Sequence, residues 1–306
     1  MSRPKLIMII GPTSSGKTSL GVKLARRFKG EIISADSRQV YRGMDIGTGK
    51  DLEEYGQGKQ AVKYHLIDIV SPKTVFNLSK YLKAARIAFA DILNRGKLPI
   101  IVGGTGLYAQ ALADNFELAL GKPDLAKRQQ QEQQTAEQLM AEIVRLQPNF
   151  AAKINNSDRH NKRRLARYLE IIEQNGAIVA KRKLSPYDFL IIGLDWPDDV
   201  LKDRIEKRLD KRLRQGMIEE VKKLHQSGIS WKRLLSFGLE YRFVSRYLTG
   251  EINQEQLTEK LGIAIYRFAK RQKTWFRRWE KQGQKIHWVD GVEEATVLIK
   301  DFLSQI

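Results

Sequence analysis

The chain has 306 residues, 42% of them hydrophobic, with 54 Lys and Arg against 35 Asp and Glu and a formal net charge of +19. That length accommodates one large α/β domain plus a smaller insert, and no apolar run approaches the ~20 residues of a membrane-spanning helix. The absence of cysteine excludes disulfides, thiolate metal sites and a cysteine nucleophile, and His65, His160, His225 and His287 are too scattered to suggest a metal cluster.

Excess positive charge concentrates polyanions, so RNA or DNA is the leading partner class, with a merely solvated basic surface as the alternative. Met1-Ser2-Arg3-Pro4-Lys5 leads straight into an apolar run with no small-residue cleavage site of the secretory type. A cytoplasmic setting is expected.

Residues 6–10 are a short branched apolar run that predicts a buried parallel strand. It passes directly into Gly11-Pro12-Thr13-Ser14-Ser15-Gly16-Lys17-Thr18, and residues 19–28 carry a helical pattern. This is the strand–loop–helix context of the G-x-x-x-x-G-K-[ST] motif. Glycines let backbone N–H groups wrap a phosphate at the helix N-terminus, Lys17 adds a point charge, and the Thr18 hydroxyl can hold Mg²⁺. At ~7% Gly the four-residue pattern arises by chance in roughly one chain in a hundred of this length. A diphosphate or triphosphate ligand is expected, and the loop does not say which.

A second strand is predicted at 31–35, followed by Asp36-Ser37-Arg38-Gln39-Val40-Tyr41. Asp36 therefore lies at the carboxyl end of a strand, where open α/β sheets bind ligands. It could serve as a general base, as a partner of metal-bound water, or as the cap of the next helix. Further strands are predicted at 66–70 and 98–102, with a helix between them on the spacing of Leu78, Leu82, Ala85, Phe89 and Leu93. After the latter strand, Gly103-Gly104-Thr105-Gly106-Leu107-Tyr108 permits a tight turn, with Thr105 either an ordinary N-cap or a hydroxyl facing the same edge of the sheet.

From 114 to 185 the strand signal disappears and the text turns polar and helical, including a Gln-rich stretch at 129–134. A disordered low-complexity segment is the alternative, but Leu125, Leu139, Ile143, Val144 and Leu146 favour helix. A strand at 189–194 returns the chain to the core, long helical segments follow near 198–226 and 254–281, and a short strand at 286–289 precedes a last helix. The βαβα alternation predicts an α/β fold of the P-loop NTPase type, a parallel sheet flanked by helices. The P-loop core with its C-terminal helices is expected to comprise residues 1–113 and 186–306, and an α-helical insertion domain residues 114–185.

Two stretches are strongly basic. Residues 159–167 hold five Arg or Lys and no acid, and residues 267–281 hold seven and one acid, interleaved with Phe268, Trp275, Phe276 and Trp279. Leu261, Ala264, Ile265, Phe268, Trp275 and Trp279 fit one helical stripe, so the aromatics read as mostly structural and the basic residues as phosphate contacts.

Taken together the motifs resemble the tRNA dimethylallyltransferase family, also called tRNA isopentenyltransferase, over nearly the whole chain. The loop at 11–18 is similar to that family's loop. Residues 33–48, Ile-Ser-Ala-Asp-Ser-Arg-Gln-Val-Tyr-Arg-Gly-Met-Asp-Ile-Gly-Thr, are the most specific stretch. His65-Leu66-Ile67-Asp68, residues 99–108 and Ala269-Lys270-Arg271-Gln272-Lys273-Thr274-Trp275-Phe276 follow in order.

The resemblance implies transfer of a dimethylallyl group from its diphosphate to N6 of the adenosine 3′-adjacent to the anticodon of tRNA. It implies that Asp36 takes the N6 proton and that Thr105 lies near the reacting atoms, with Ser37, Arg38 and Gln39 gripping the flipped base. Gly11, Pro12, Thr13, Ser14, Ser15, Gly16, Lys17, Thr18 and Arg208 would hold the diphosphate, with Mg²⁺ on Thr18. The anticodon stem-loop would be held by Arg163, Arg164 and Arg167 in the insert and by Lys270, Arg271, Gln272 and Arg277 near the C-terminus. A monomer is expected.

Two segments depart from the family pattern. Leu239 and Glu240 intervene between Gly238 and Tyr241, and Asn155-Asn156-Ser157-Asp158-Arg159-His160-Asn161 replaces the usual His-Pro-Asn-Asp. Rival readings are a small-molecule P-loop kinase, an isopentenyltransferase acting on free adenine nucleotide, and a GTP-switching RNA-binding protein. The last lacks its guanine-reading motif, because Asn161-Lys162 is followed by Arg163 and Arg164.

Overall fold

The structure, a computed structural model, describes residues 3–58, 61–116, 130–131, 133–175 and 184–305. The chain forms two compact units, Met1–Asp114 with Ser185–Ile306, and Asn115–Leu184.

The larger unit is built on a six-stranded sheet in the order β3-β2-β4-β1-β5-β6, with every adjacent pair parallel. The strands are β1 (Lys5–Ile10), β2 (Gly30–Ser34), β3 (Tyr64–His65), β4 (Leu98–Gly103), β5 (Asp188–Gly193) and β6 (His287–Trp288). Leu6 through Ile10 are fully buried, as branched apolar runs covered on both faces must be. One face carries α1 (Lys17–Arg27) and the last helix, whose Ala295 and Ile299 pack with Leu20, Leu24, Ile32 and Ile100.

Most expected elements are present, with two differences. The strand expected at 66–70 is absent, since only Tyr64 and His65 pair with β2. Leu66 and Asp68 adopt left-handed φ of 63° and 57°, which breaks the pleat. The helical run expected at 198–226 is two helices, split where Gly216 takes φ 96°.

After β2 the elements are a 3₁₀ turn (Leu52–Tyr55), α2 (Leu78–Asn94) and α3 (Gly106–Ala113). In the smaller unit come α4 (Ala136–Leu146), α5 (Pro148–Ala151), α6 (Asn156–Arg159) and α7 (Lys162–Asn175). The larger unit closes with α8 (Asp198–Arg214), α9 (Met217–Gln226), α10 (Trp231–Ser236), α11 (Leu239–Leu248), α12 (Gln254–Lys281) and α13 (Val292–Ser304). The smaller unit has its own core, in which Leu139 and Ile143 of α4 meet Leu165, Leu169 and Ile172 of α7. In the Gln-rich stretch Gln130, Gln131 and Gln133 are helical, while Leu125 and Gln129 lie outside the described residues. Val144 points out of that core and is exposed.

Candidate functional site

Because all strands run the same way, the loops after β1, β2, β4 and β5 emerge on one edge. The register places Ile10 beside Gly103 and Gly193, and Ser34 beside Val102. The phosphate-loop motif, Asp36 and the Gly103-Gly104-Thr105 turn are thereby neighbours, although they are far apart in sequence.

The loop at 11–18 has the conformation its glycines permit. Gly11 takes φ 153° and a Cβ there would lie 2.4 Å from the Leu194 carbonyl oxygen, so only glycine lets β5 come this close. Three side chains hold the loop from outside. The Gln272 amide oxygen accepts from the Thr13 N–H at 2.8 Å, Arg204 Nε donates to the Ser14 carbonyl at 2.7 Å, and Trp196 Nε1 donates to the Ser15 carbonyl at 2.9 Å. Lys17 Nζ turns back onto the Pro12 carbonyl, with Ser15 Oγ at 3.4 Å. Burial and the neighbouring Arg208 push the Lys17 ammonium down to about 7, with Asp36 opposing.

Two cavities open around this loop. The larger, about 340 Å³, is lined by Gly16, Lys17, Thr18, Asp51, Glu54 and the cations Arg204, Lys207, Arg208 and Lys211 of α8. The smaller, about 80 Å³, brings Asp36, Gln39, Gly103, Gly104, Phe268 and Gln272 together with Thr13. Lys17, Thr18 and Arg208 line both. Arg208 is held by the Asp51 carboxylate. Among the described residues the buried Glu54 Oε2 has no hydrogen-bond partner, and burial, with Asp51 nearby, raises its pKa.

Asp36 divides its two oxygens. Oδ1 accepts from the Arg38 N–H at 2.7 Å and the Gln39 N–H at 3.4 Å, so the capping role is fulfilled by a turn, not a helix. Oδ2 has no hydrogen bond among the described residues. Thr105 stands at the N-cap of α3 but makes no capping bond there. Its Oγ1 accepts from the Ser37 N–H at 3.2 Å instead, tying the β4 loop to the β2 loop. Gln39 bridges Ser34 Oγ at 2.8 Å and the Gly49 carbonyl at 3.0 Å. Ser37 and Arg38 lie in the same half-buried turn.

The rest of the 33–48 motif is fastened from beneath. One Glu220 carboxylate accepts from the backbone N–H groups of Asp45, Ile46 and Gly47 at 2.7, 2.7 and 3.0 Å, and the Tyr241 hydroxyl donates to the same carboxylate at 2.7 Å. The two-residue departure at Leu239 and Glu240 sits here. Glu240 pairs with the buried Arg212 at 3.4 Å, and Arg212 backs onto Gly49, where a Cβ would fall 1.6 Å from its guanidinium.

Of the residues expected to face RNA, Lys270, Arg271 and Arg277 are exposed on α12, with Lys270 paired to Asp198 at 3.3 Å and Arg277 near Asp195 at 4.0 Å. Gln272 is instead buried, its amide committed to the Thr13 N–H of the loop after β1 and, at 2.8 Å, to the Gly104 carbonyl of the loop after β4. In the smaller unit Arg163 and Arg164 are exposed on α7 and Arg167 is half-buried beside Glu170 at 3.0 Å. The other departing segment caps α6 through Asn155, and its Asp158 holds Arg164 and the Tyr168 hydroxyl.

Sequence reasoning passed over Trp196, Arg204, Arg212, Glu220 and Asp51. A partial signal exists for the arginines, since 204, 208 and 212 recur every four residues and so share one face of α8. Among the described residues no group of three or more His, Asp or Glu is arranged to hold a metal, and no helix is long and apolar enough to cross a membrane.

Comparison with known proteins shows the family. The family model described as IPP transferase matches residues 39–279, and one described as isopentenyl transferase matches residues 4–68. The tRNA dimethylallyltransferase 1 of Geotalea uraniireducens is 47% identical over 288 residues, covering 94% of this chain and 92% of that protein. The tRNA dimethylallyltransferase 2 of Citrifermentans bemidjiense is 44% identical over 303 residues, covering 99% and 96%. Among solved structures, the full-length tRNA isopentenylpyrophosphate transferase of Bacillus halodurans superposes with a TM-score of 0.70 at 36% identity, covering 99% of this chain and 96% of that one. A eukaryotic dimethylallyltransferase acting on tRNA superposes with a TM-score of 0.82 at 25% identity, covering 98% and 80%. By sequence and by fold alike, the chain belongs to the IPP transferase family.

Proposed function

We propose that this enzyme transfers a dimethylallyl group from dimethylallyl diphosphate to N6 of the adenosine 3′-adjacent to the anticodon in tRNA. The observation that carries the reading is the pair of cavities that share Lys17, Thr18 and Arg208: one is cationic and sized for a diphosphate, the other holds Asp36. A leaving diphosphate and an attacking amine need such adjacent sites.

An exocyclic adenine amine is a poor nucleophile, and an allylic diphosphate ionises only if the departing charge is stabilised. Asp36, with Oδ2 uncommitted, accepts the N6 proton as the N6–C1 bond forms. The C1–O bond breaks at the same centre and pyrophosphate leaves onto the loop amides, Lys17 and Arg208. The Ser37 amide bond keeps Thr105 beside Asp36, and Ser37, Arg38 and Gln39 line the approach of the base.

The oxygen donors suit Mg²⁺: Thr18 lines the larger cavity with Asp51 and Glu54, and Glu54 Oε2 is buried with no partner among the described residues. Bound there, the ion would neutralise charge on the diphosphate. The target adenine must leave its stack to reach Asp36, so the anticodon loop needs to be gripped by exposed cations such as Arg163, Arg164, Lys270, Arg271 and Arg277. We further propose that the enzyme works as a monomer in the cytoplasm.

The test is direct. The protein is incubated with Mg²⁺, dimethylallyl diphosphate and unmodified tRNA bearing adenosine after the anticodon, and nucleoside masses are measured after digestion. Prenylated adenosine is the expected product. Product from free AMP alone, or phosphate transfer from ATP, would overturn the substrate or the chemistry.

A further inference from the structure

Phe268 is the most exposed aromatic side chain of helix α12, whose Tyr266 and Trp275 are half-buried. Trp279 is buried, whereas Phe268, which the helical spacing assigns to the same packed stripe, is 38% exposed. It lines the smaller cavity with Asp36 and Gln39. Its backbone is fixed there, because Gln272 one turn later is bonded at both ends of its amide to Thr13 and Gly104. Of the two aromatic rings lining this cavity, Tyr55 is 3% exposed and packed into the sheet core, so only Phe268 has surface to offer a ligand.

We propose that Phe268 is the stacking platform for the flipped adenine. The inference rests on the reading that a tRNA adenosine is the acceptor. Three observations favour the base over the allyl tail as the occupant. Phe268 lines only the smaller cavity, whereas the cations for the diphosphate line both, so the ring lies on the acceptor's side of the reacting centre. The groups able to read an adenine edge, Asp36 and Gln39, share that cavity. The same helix presents exposed Arg267 and Arg271, the latter 5.9 Å from the Phe268 ring, where flanking nucleotides would put phosphates. A π-face accepts any base, and adenine specificity then comes from the edge contacts.

Phe268→Trp, Phe268→Leu and Phe268→Ala would be assayed for kcat and for KM toward tRNA and toward dimethylallyl diphosphate. In parallel, tRNA with 2-aminopurine at the target position reports stacking by its fluorescence. Stacking predicts that Leu and Ala lower kcat/KM for tRNA about 5- to 150-fold, that Trp restores it, and that 2-aminopurine emits more brightly on the Ala variant than on wild type. A Leu variant equal to wild type would overturn the proposal, as would a rise confined to the KM for dimethylallyl diphosphate, which would place the ring against the donor's tail. Failure of the wild-type protein to prenylate tRNA would refute the acceptor reading itself, a result that the variants do not affect.

Discussion

Lys17 makes the site sensitive to pH. The free Lys17 ammonium is held down to about 7 by burial and by Arg208, and a bound diphosphate stabilises the charged form and raises it. Binding therefore takes up a proton. Affinity for dimethylallyl diphosphate is full below pH 7 and falls by about tenfold per unit as pH rises above 7, until the raised pKa of the complex is passed. Calorimetry at pH 8 in buffers of different ionisation enthalpy should show proton uptake, and an affinity that stays level between pH 7 and 9 would contradict it. At Asp36, the Asn substitution keeps an oxygen for the Arg38 and Gln39 N–H groups but removes the base. Asp36→Asn should lower kcat by about 10²- to 10⁴-fold while tRNA affinity is retained, and equal losses in both would reassign the residue to binding.

The elements also act by clamping loops. Gln272 of α12 satisfies one N–H and one C=O of two different loops, so Gln272→Ala leaves buried backbone groups unpaired at about 1–3 kcal/mol each. A lower melting temperature should be accompanied by weaker diphosphate binding in titration, although Gln272 does not line the larger, cationic cavity. Between α8 and α11, Arg212 is 8% exposed and pairs with Glu240. Burial pushes the Arg212 guanidinium down to about 10 and the Glu240 carboxyl up, so desolvation weighs heavily on both. Glu240→Ala then strands a buried cation, and urea unfolding should show a loss of about 3 kcal/mol. An unchanged midpoint would mean that water already reaches Arg212.

Over the whole molecule the net charge of +19 governs association with RNA. Each phosphate neutralised releases counterions, so a protein covering about six phosphates loses about 10³-fold in affinity between 50 and 200 mM salt. Filter binding of the anticodon stem-loop across that range should give this slope, and a flat response would remove the electrostatic basis for tRNA recognition. Substitution of Arg163 by Ala should reduce the slope by about one contact without altering kcat at saturating tRNA.

The phosphate loop, the strand order of apolar runs and the 33–48 motif could be read from sequence because each is local: a strand, a turn and a helix start are specified by consecutive residues. The long helix Gln254–Lys281 was equally legible, as its capping Asn253 and apolar period lie within one segment. What escaped were partnerships between distant segments. Nothing near Glu220 signals that it holds three backbone N–H groups of the motif loop, nothing near Trp196 signals a bond to the loop at 11–18, and the spacing of Arg204 with Arg208 gives a shared helix face but not its partner. Phe268 satisfies the helical stripe yet stands at a cavity, because periodicity assigns a face and only the packing of neighbouring loops decides whether that face is covered. The sequence by itself determined the fold class, the anion-binding loop and the family, since these depend on local pattern. The tertiary structure alone decided which oxygen of Asp36 is free, which side chains hold the loops, and where the site meets solvent, since burial and hydrogen-bond partners exist only once the chain has closed on itself.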